Sequence, residues 1–232
     1  MKDSTVGEAL GALFATRGRS ALVLVTAMAG AIAAFFLAFG FPAESRTFVA
    51  VVPLTQLVIS VLTPFATAAL THDLRDQNLV GSLPSRWIAS ALYGLAFGVY
   101  GAAVAAVAVS AANGSTPAID PWNGAATAFL GCLVVQLIPV GVGAGAGLLL
   151  GRLSRARLLT VVVPLGLSFV LARLAPAGTT DWITPLGAAD HLLPGPMSLL
   201  AWVQWVVTAA LWVVLPNAVG ARLLRRRASA AR

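Results

Sequence analysis

Charged residues are scarce in this chain: Asp, Glu, Lys and Arg together make up 10% of its 232 residues. A soluble domain carries roughly a quarter charged residues, so this chain has too little polar surface to face water on all sides. Hydrophobic residues make up 59% of the sequence, and the mean hydropathy is +0.89. The scarcity of charge argues against an ordinary soluble enzyme and predicts a surface that mostly faces lipid.

Lysine and cysteine are each represented once, by Lys2 and Cys132. A phosphate-binding loop of the G-x-x-x-x-G-K-[ST] type is therefore missing, so any ATP and Mg²⁺ would have to be bound by a separate subunit. A single cysteine can form neither an intramolecular disulfide nor a thiolate metal cluster. We therefore expect no cofactor in this chain.

Six apolar stretches divide the sequence, each about long enough for a helix to cross a bilayer. They predict an all-α polytopic membrane protein with a single membrane domain over residues 1–232. Residues 1–19 would form an interfacial helix, 20–219 a six-span bundle and 220–232 a basic tail. The predicted spans are 20–40, 47–70, 87–111, 125–150, 158–174 and 197–219.

The basic residues are distributed unevenly along this topology. Of the fifteen Lys and Arg residues, only Arg46 and Arg173 fall on the side opposite the N-terminus. Because an excess of Lys and Arg marks the cytoplasmic side, both termini are predicted to be cytoplasmic, in a multi-pass protein of the cytoplasmic membrane. The positive charges flank apolar spans, which indicates attraction to anionic lipid headgroups and not nucleic-acid binding.

The N-terminal segment has the pattern of an amphipathic helix. Thr5 and Glu8 have the spacing of a capping box, in which each side chain accepts a hydrogen bond from the other's backbone N–H. Apolar residues then recur on one helical face: Val6, Ala9, Leu10, Leu13 and Phe14. Such a helix can lie in the headgroup plane; the alternative is a plain cytosolic start of the first span.

The predicted spans hold little that could carry chemistry. His72 and His191 fall on opposite sides of the membrane in this topology, so they cannot share a metal ion or form a catalytic pair. No acidic residue lies deep within a predicted span, which argues against proton or ion coupling. We expect neither a metal site nor catalytic residues, and therefore no enzymatic activity.

The uncharged polar residues and glycines of the spans are the remaining candidates. Gln56, Gln136 and Gln204 must each find a hydrogen-bond partner in the apolar interior, either as links between helices or along a translocation path. Gly143, Gly147 and Gly151 recur at every fourth position, a pattern that favours close helix packing. A helix that unwinds around a substrate is the alternative for this glycine-rich segment.

The second connection, residues 71–86, mixes charged and apolar residues. This pattern is compatible with a short cytosolic helix that ends at Gly81 and Pro84, before the third span. A helix of this kind could dock on a partner protein and transmit motion; the alternative is a solvated loop. The residues expected to mediate this coupling to a partner are His72, Asp73, Arg75, Asp76 and Gly81.

Taken in order, these features resemble a type-2 ABC (ATP-binding cassette) exporter permease, the membrane subunit of an ATP-driven transporter. Residues 4–18 correspond to the connecting helix of that family, 72–83 with Pro84 to its coupling helix, and 182–186 with 191–193 to its outer segment between spans five and six. The resemblance implies two copies of an ABC ATPase subunit as partners and a second permease copy, normally in a homodimer. It also implies export of an amphiphilic or hydrophobic substrate, such as a drug, lipid, peptide or glycan precursor.

Two other functions are compatible with the same sequence. A secondary transporter would need no ATPase, and a membrane scaffold subunit would have no transport cycle. A nucleotide-binding partner that stays bound during purification would distinguish the ATP-driven permease from a secondary transporter. Loss of ATPase coupling when Asp73, Asp76 or Gly81 is substituted would distinguish it from a scaffold.

Overall fold

In a computed structural model of the chain, residues 5–77, 79–114, 117–193 and 198–230 are described. The predicted first residue of the connecting helix, Ser4, the predicted first residue of the sixth span, Met197, and the end of the tail at 231–232 lie outside them. The described residues form helices and turns without β-strands, and six helical segments are long and apolar enough to cross a membrane. The prediction of an all-α, six-span membrane protein is confirmed.

The chain begins with a short helix, α1 (Val6–Ala12), whose predicted capping box is present. Thr5 Oγ1 accepts from the Glu8 N–H at 3.2 Å, and Glu8 Oε2 accepts from the Thr5 N–H at 2.8 Å. Ala9 and Leu13 are buried against the membrane-spanning helices, while Phe14 is 54% exposed. The predicted amphipathic helix is therefore present, although it is shorter than expected.

The first five spans agree with the predicted ones to within a few residues at most ends. They are α2 (Arg17–Gly40), α3 (Phe48–Gln77), α4 (Leu83–Ala112), the pair α5 (Ala125–Val135) and α6 (Leu137–Leu149), and α7 (Leu153–Leu174). One difference matters for function. α3 continues without a break for seven residues beyond the predicted end of the second span at Leu70.

Two short helices, α8 (Thr179–Ile183) and α9 (Pro185–Asp190), lie between the fifth and sixth spans. The sixth span consists of α10 (Leu199–Ala209), a π-helical turn (Ala210–Val214) and α11 (Leu215–Ala230). Residues 220–230, predicted as a basic tail, continue this helix. We call the end of the bundle that holds α1 and the end of α11 the terminal end, and the end that holds α8 and α9 the distal end.

The second span is the centre of the bundle. α3 packs against α2, α4, α6 and α7, and α6 also packs against α11. Small residues allow these close approaches, because most of the buried side chains of α3, α4 and α6 are Ala, Gly, Ser, Thr or Val. In contrast, only Ala156, Thr160 and Ser168 of α7 are buried. The fifth span therefore borders the bundle, with most of its surface facing outward.

Candidate functional site

Two glycines of α6, Gly143 and Gly147, allow α3 to pack closely against it. A Cβ atom at Gly143 would collide with the Pro64 carbonyl oxygen of α3, and one at Gly147 would collide with the Ala68 carbonyl oxygen. The predicted packing role of these two glycines therefore agrees with their contacts. Gly151 differs, because it lies beyond the end of α6 in an exposed turn beside Arg75 and is not part of the helical stripe.

Threonines on α3 reinforce the α3–α6 contact. Thr67 Oγ1 donates to the Val140 carbonyl oxygen at 2.9 Å, and Thr71 Oγ1 donates to the Ala144 carbonyl oxygen at 2.8 Å. Sequence analysis did not single out these residues, although Thr63, Thr67 and Thr71 recur at the same four-residue spacing as the glycines. The two helices are thus joined by side-chain hydrogen bonds as well as by close packing.

Gln56 of α3 and Gln136, at the α5–α6 junction, are brought together. Gln136 Nε2 donates to Gln56 Oε1 at 2.7 Å, and Gln56 Nε2 donates to the carbonyl oxygen of Gly98 in α4 at 3.0 Å. Both side chains are fully buried. These contacts agree with the linking role considered for the two residues, since they join the second, third and fourth spans.

Gln204, the third glutamine, lies elsewhere. It is buried on α10, a helix that packs mainly against α8, α9 and the π-helical turn. It is not hydrogen-bonded to Gln56 or Gln136. The three glutamines therefore do not form one polar path.

A cavity of about 140 Å³ lies beside Gln56, among α3, the α5–α6 pair, α7 and α9. It reaches from the middle of the bundle towards α9 at the distal end. Most of its wall is apolar, including Leu57, Ile138 and Leu165. It is the candidate binding site, because its polar lining residues come from three different helices: Gln56 and Ser60 from α3, Thr160 from α7 and Asp190 from α9.

Three lining residues each precede a helical proline by four positions: Ser60 before Pro64, Val135 before Pro139 and Thr160 before Pro164. Proline has no N–H, so each of these carbonyl oxygens lacks the main-chain donor that a regular helix would provide. Three helices therefore each contribute a lining residue whose backbone carbonyl oxygen lacks its helical donor. The span prolines in the sequence show which carbonyl groups lack a helical donor. The sequence does not show that the three helices come together around one cavity.

Asp190, at the end of α9, is the only charged residue among the described residues that line this cavity. Its carboxylate makes no hydrogen bond or ion pair with another described residue. Partial burial raises the pKa of Asp190; the neighbouring His191 opposes this effect and the charge of Asp181 adds to it. His191 and Asp181 pair with each other, with Nε2 and Oδ2 3.1 Å apart.

A second cavity, of about 390 Å³, lies between α4, α6 and the sixth span. Asn217 crosses this region, because its Oδ1 accepts from Trp87 Nε1 at 3.0 Å and its Nδ2 donates to the Gly141 carbonyl oxygen at 2.8 Å. No charged residue lines it among the described residues. It offers a ligand few polar contacts, so we regard the first cavity as the better candidate.

The segment predicted to form a separate coupling helix is part of α3 up to Gln77, and only a 3₁₀ turn, Val80–Ser82, follows it. A separate short helix over residues 72–83 was therefore the wrong expectation. The backbone has no break before residue 78, and Pro84 lies in the first turn of the next helix instead of ending a preceding one.

The five residues of the predicted coupling set are arranged in two groups. His72 is buried, Asp73 is bound to Arg19, and Arg75 Nη1 donates to the Leu149 carbonyl oxygen at 2.7 Å. Asp76 has a side chain that is 61% exposed, although its Oδ2 lies 3.2 Å from His72 Nδ1, and Gly81 is also exposed. Of these five residues, Asp76 and Gly81 are therefore the two that are exposed and best placed to contact a partner at the terminal end.

Comparison with protein-family models, curated proteins and solved structures finds no match to this chain. Its function must therefore be argued from its own residues.

Proposed function

We propose that the chain is the membrane-spanning permease subunit of an ATP-driven ABC exporter in the cytoplasmic membrane. Two copies would associate with two ATPase subunits, which would bind ATP and Mg²⁺. The order of its elements supports this proposal most directly: an amphipathic α1, six spans, and the paired short helices α8 and α9 between spans five and six. That order agrees with the family resemblance of the sequence.

The first cavity adds support for transport in place of a purely structural role. It lies within the apolar part of the bundle and is bordered by α9, so it offers a site that an amphiphilic or hydrophobic molecule could occupy on its way across. A drug, lipid, peptide or glycan precursor would meet mostly hydrocarbon there. ATP binding would close the partner ATPases together, and this motion would reach the spans through the terminal ends of α3 and α4.

Reconstitution tests the proposal. The chain would be co-expressed with a candidate ABC ATPase subunit, purified and placed in proteoliposomes. We expect a stable complex whose ATPase activity depends on the permease, and ATP-dependent movement of an amphiphilic substrate. Uptake driven by an ion gradient in the absence of any ATPase would contradict the proposal and favour a secondary transporter. A stable complex without a transport cycle would favour a scaffold subunit.

A further inference from the structure

The polar groups on the wall of the first cavity are predominantly hydrogen-bond acceptors. The carbonyl oxygens of Ser60, Val135 and Thr160 lack their usual main-chain donors, and the Asp190 carboxylate makes no hydrogen bond or ion pair with a described residue. No Lys, Arg or His belongs to the described wall. A ligand that donates hydrogen bonds would complement this arrangement, and an anion would meet oxygen atoms that repel it.

The donors already near the wall are occupied. The Gln56 side-chain amide donates to Gly98, the Ser60 hydroxyl to the Gln56 carbonyl oxygen at 2.8 Å, and the Thr160 hydroxyl to the Arg157 carbonyl oxygen at 2.7 Å. The hydroxyl oxygens of Ser60 and Thr160 can still accept a hydrogen bond, whereas Gln56 Oε1 already accepts one from Gln136 Nε2. The site is thus short of donors and rich in acceptors, and the one formal charge on its wall is negative.

We propose that this cavity binds a cationic amphiphile, with an N–H-bearing cationic group near Asp190 and the proline-freed carbonyl oxygens, and an apolar body against the surrounding side chains. The inference rests on the proposed permease role for its place in transport, but the binding itself does not require an ATPase. The apolar wall formed by Leu54, Leu57, Val61, Ile138 and Val161 favours an organic cation over a bare metal ion, which would need several oxygen ligands around it.

Dye binding to the full-length chain tests this proposal. The purified protein would be placed in lipid nanodiscs, and binding of rhodamine 6G, a cationic dye with N–H groups, would be measured by fluorescence anisotropy with empty nanodiscs as the blank. The dye is larger than the cavity of about 140 Å³, which is open on one side, so it would enter with one N–H-bearing end and extend out through the opening. We expect saturable binding that Asp190→Asn weakens about tenfold or more, since a charge-assisted contact is lost. Nile red, which is neutral and has no N–H group, should be unaffected by the same substitution.

Asp120→Asn is the matched control. Asp120 lies in the connection between the third and fourth spans, on the same side of the bundle as Asp190, and does not line the cavity. Asn also tolerates its positive φ of 49°. The control should bind rhodamine 6G as the wild type does, and Val61→Trp, which fills the cavity, should weaken binding of both dyes.

Several results would overturn the inference: no saturable binding of rhodamine 6G to the wild type, equal effects of Asp190→Asn and Asp120→Asn, or equal loss of both dyes in Asp190→Asn. Displacement of the dye by NaCl but not by choline chloride at the same ionic strength would indicate an inorganic cation site and would also overturn it. The dye-binding measurement does not require ATP. If reconstitution contradicted the permease proposal, the binding result would therefore still test this inference.

Discussion

Gln136 donates a hydrogen bond from Nε2 to Oε1 of Gln56 at 2.7 Å, and the two fully buried side chains join the second and fourth spans beside the candidate cavity. Gln56 Nε2 in turn donates to the carbonyl oxygen of Gly98 in the third span. A single pair of neutral amides thus connects three of the six spans at one level of the bundle.

Removing both members of this pair should destabilise the protein by less than the sum of the two single removals. Gln56→Leu or Gln136→Leu leaves a buried amide without its partner, at a cost of about 1–3 kcal/mol each. The double substitution should cost less than the sum of the two, because it removes donor and acceptor together. Thermal unfolding of the single and double variants in detergent measures this coupling, and strictly additive losses would contradict it.

Adding a methyl group to the α6 glycine stripe should also destabilise the bundle. Gly143→Ala and Gly147→Ala place a Cβ against backbone carbonyl oxygens of α3, which cannot move aside as a flexible side chain could. We expect a loss on the order of 1–3 kcal/mol for each. Gly166→Ala in α7 is the control, since nothing lies within 4 Å of its Cβ position, and it should be neutral or slightly stabilising.

Asp73 and Asp76 should behave differently when each is replaced by Asn. Asp73 Oδ1 and Oδ2 lie 2.8 and 2.7 Å from Arg19 Nη2, so Asp73→Asn should lower stability by weakening the α2–α3 link. Asp76→Asn should leave the unfolding temperature nearly unchanged and reduce permease-dependent ATPase activity. Full ATPase coupling in a stable Asp76→Asn variant would remove Asp76 from the partner surface.

Cation binding should weaken as the pH falls. Only the ionised Asp190 carboxylate attracts a cation, and partial burial raises the pKa of Asp190 above that of an ordinary carboxyl group. Binding of rhodamine 6G should therefore decline through a pH range higher than the usual carboxyl value of about 4. His191 and Asp181 lie nearby, so the profile is compared with that of Asp190→Asn, which should be nearly flat.

The two ends of the bundle should be accessible from opposite sides of the membrane. Cysteine substitutions at Gly81 and Ile119, in a Cys132→Ser background, would be labelled in intact cells with a membrane-impermeant maleimide. Both positions are exposed, and Ile119 is 94% exposed. Ile119→Cys should react in intact cells and Gly81→Cys only after lysis, because the basic connections are predicted to be cytoplasmic. Labelling of both in intact cells would refute the topology.

The sequence was sufficient to predict the number of spans and the capping box at Thr5, because helix length, hydropathy and cap spacing are local properties. It also predicted contacts for Gly143 and Gly147 that the structure contains. It did not reveal that Gly141 and Gly145 form a second close contact, with Val213 and Pro216 of the sixth span. Which helix faces which side of α6 depends on the whole arrangement of spans.

The candidate site could also be predicted only in part from the sequence. Because Gln56 and Gln136 lie in apolar spans, each was expected to have a hydrogen-bond partner. The residues around them in the sequence did not indicate that the two side chains would bond to each other. The end of α3 was misplaced because hydropathy marks where a membrane span ends and not where a helix ends. Asp190 was overlooked, since its position on the cavity wall arises from α9 folding back between the fifth and sixth spans.

The two glycine faces of α6 determine which parts of the protein can shift independently. Held by α3 on one side and by the sixth span on the other, α6 can neither rotate nor slide without displacing both neighbours. The fifth span is held by only three buried side chains. We therefore expect a bulky ligand to enlarge the site mainly by displacing α7 outward, since α7 is the lining span with the fewest buried residues.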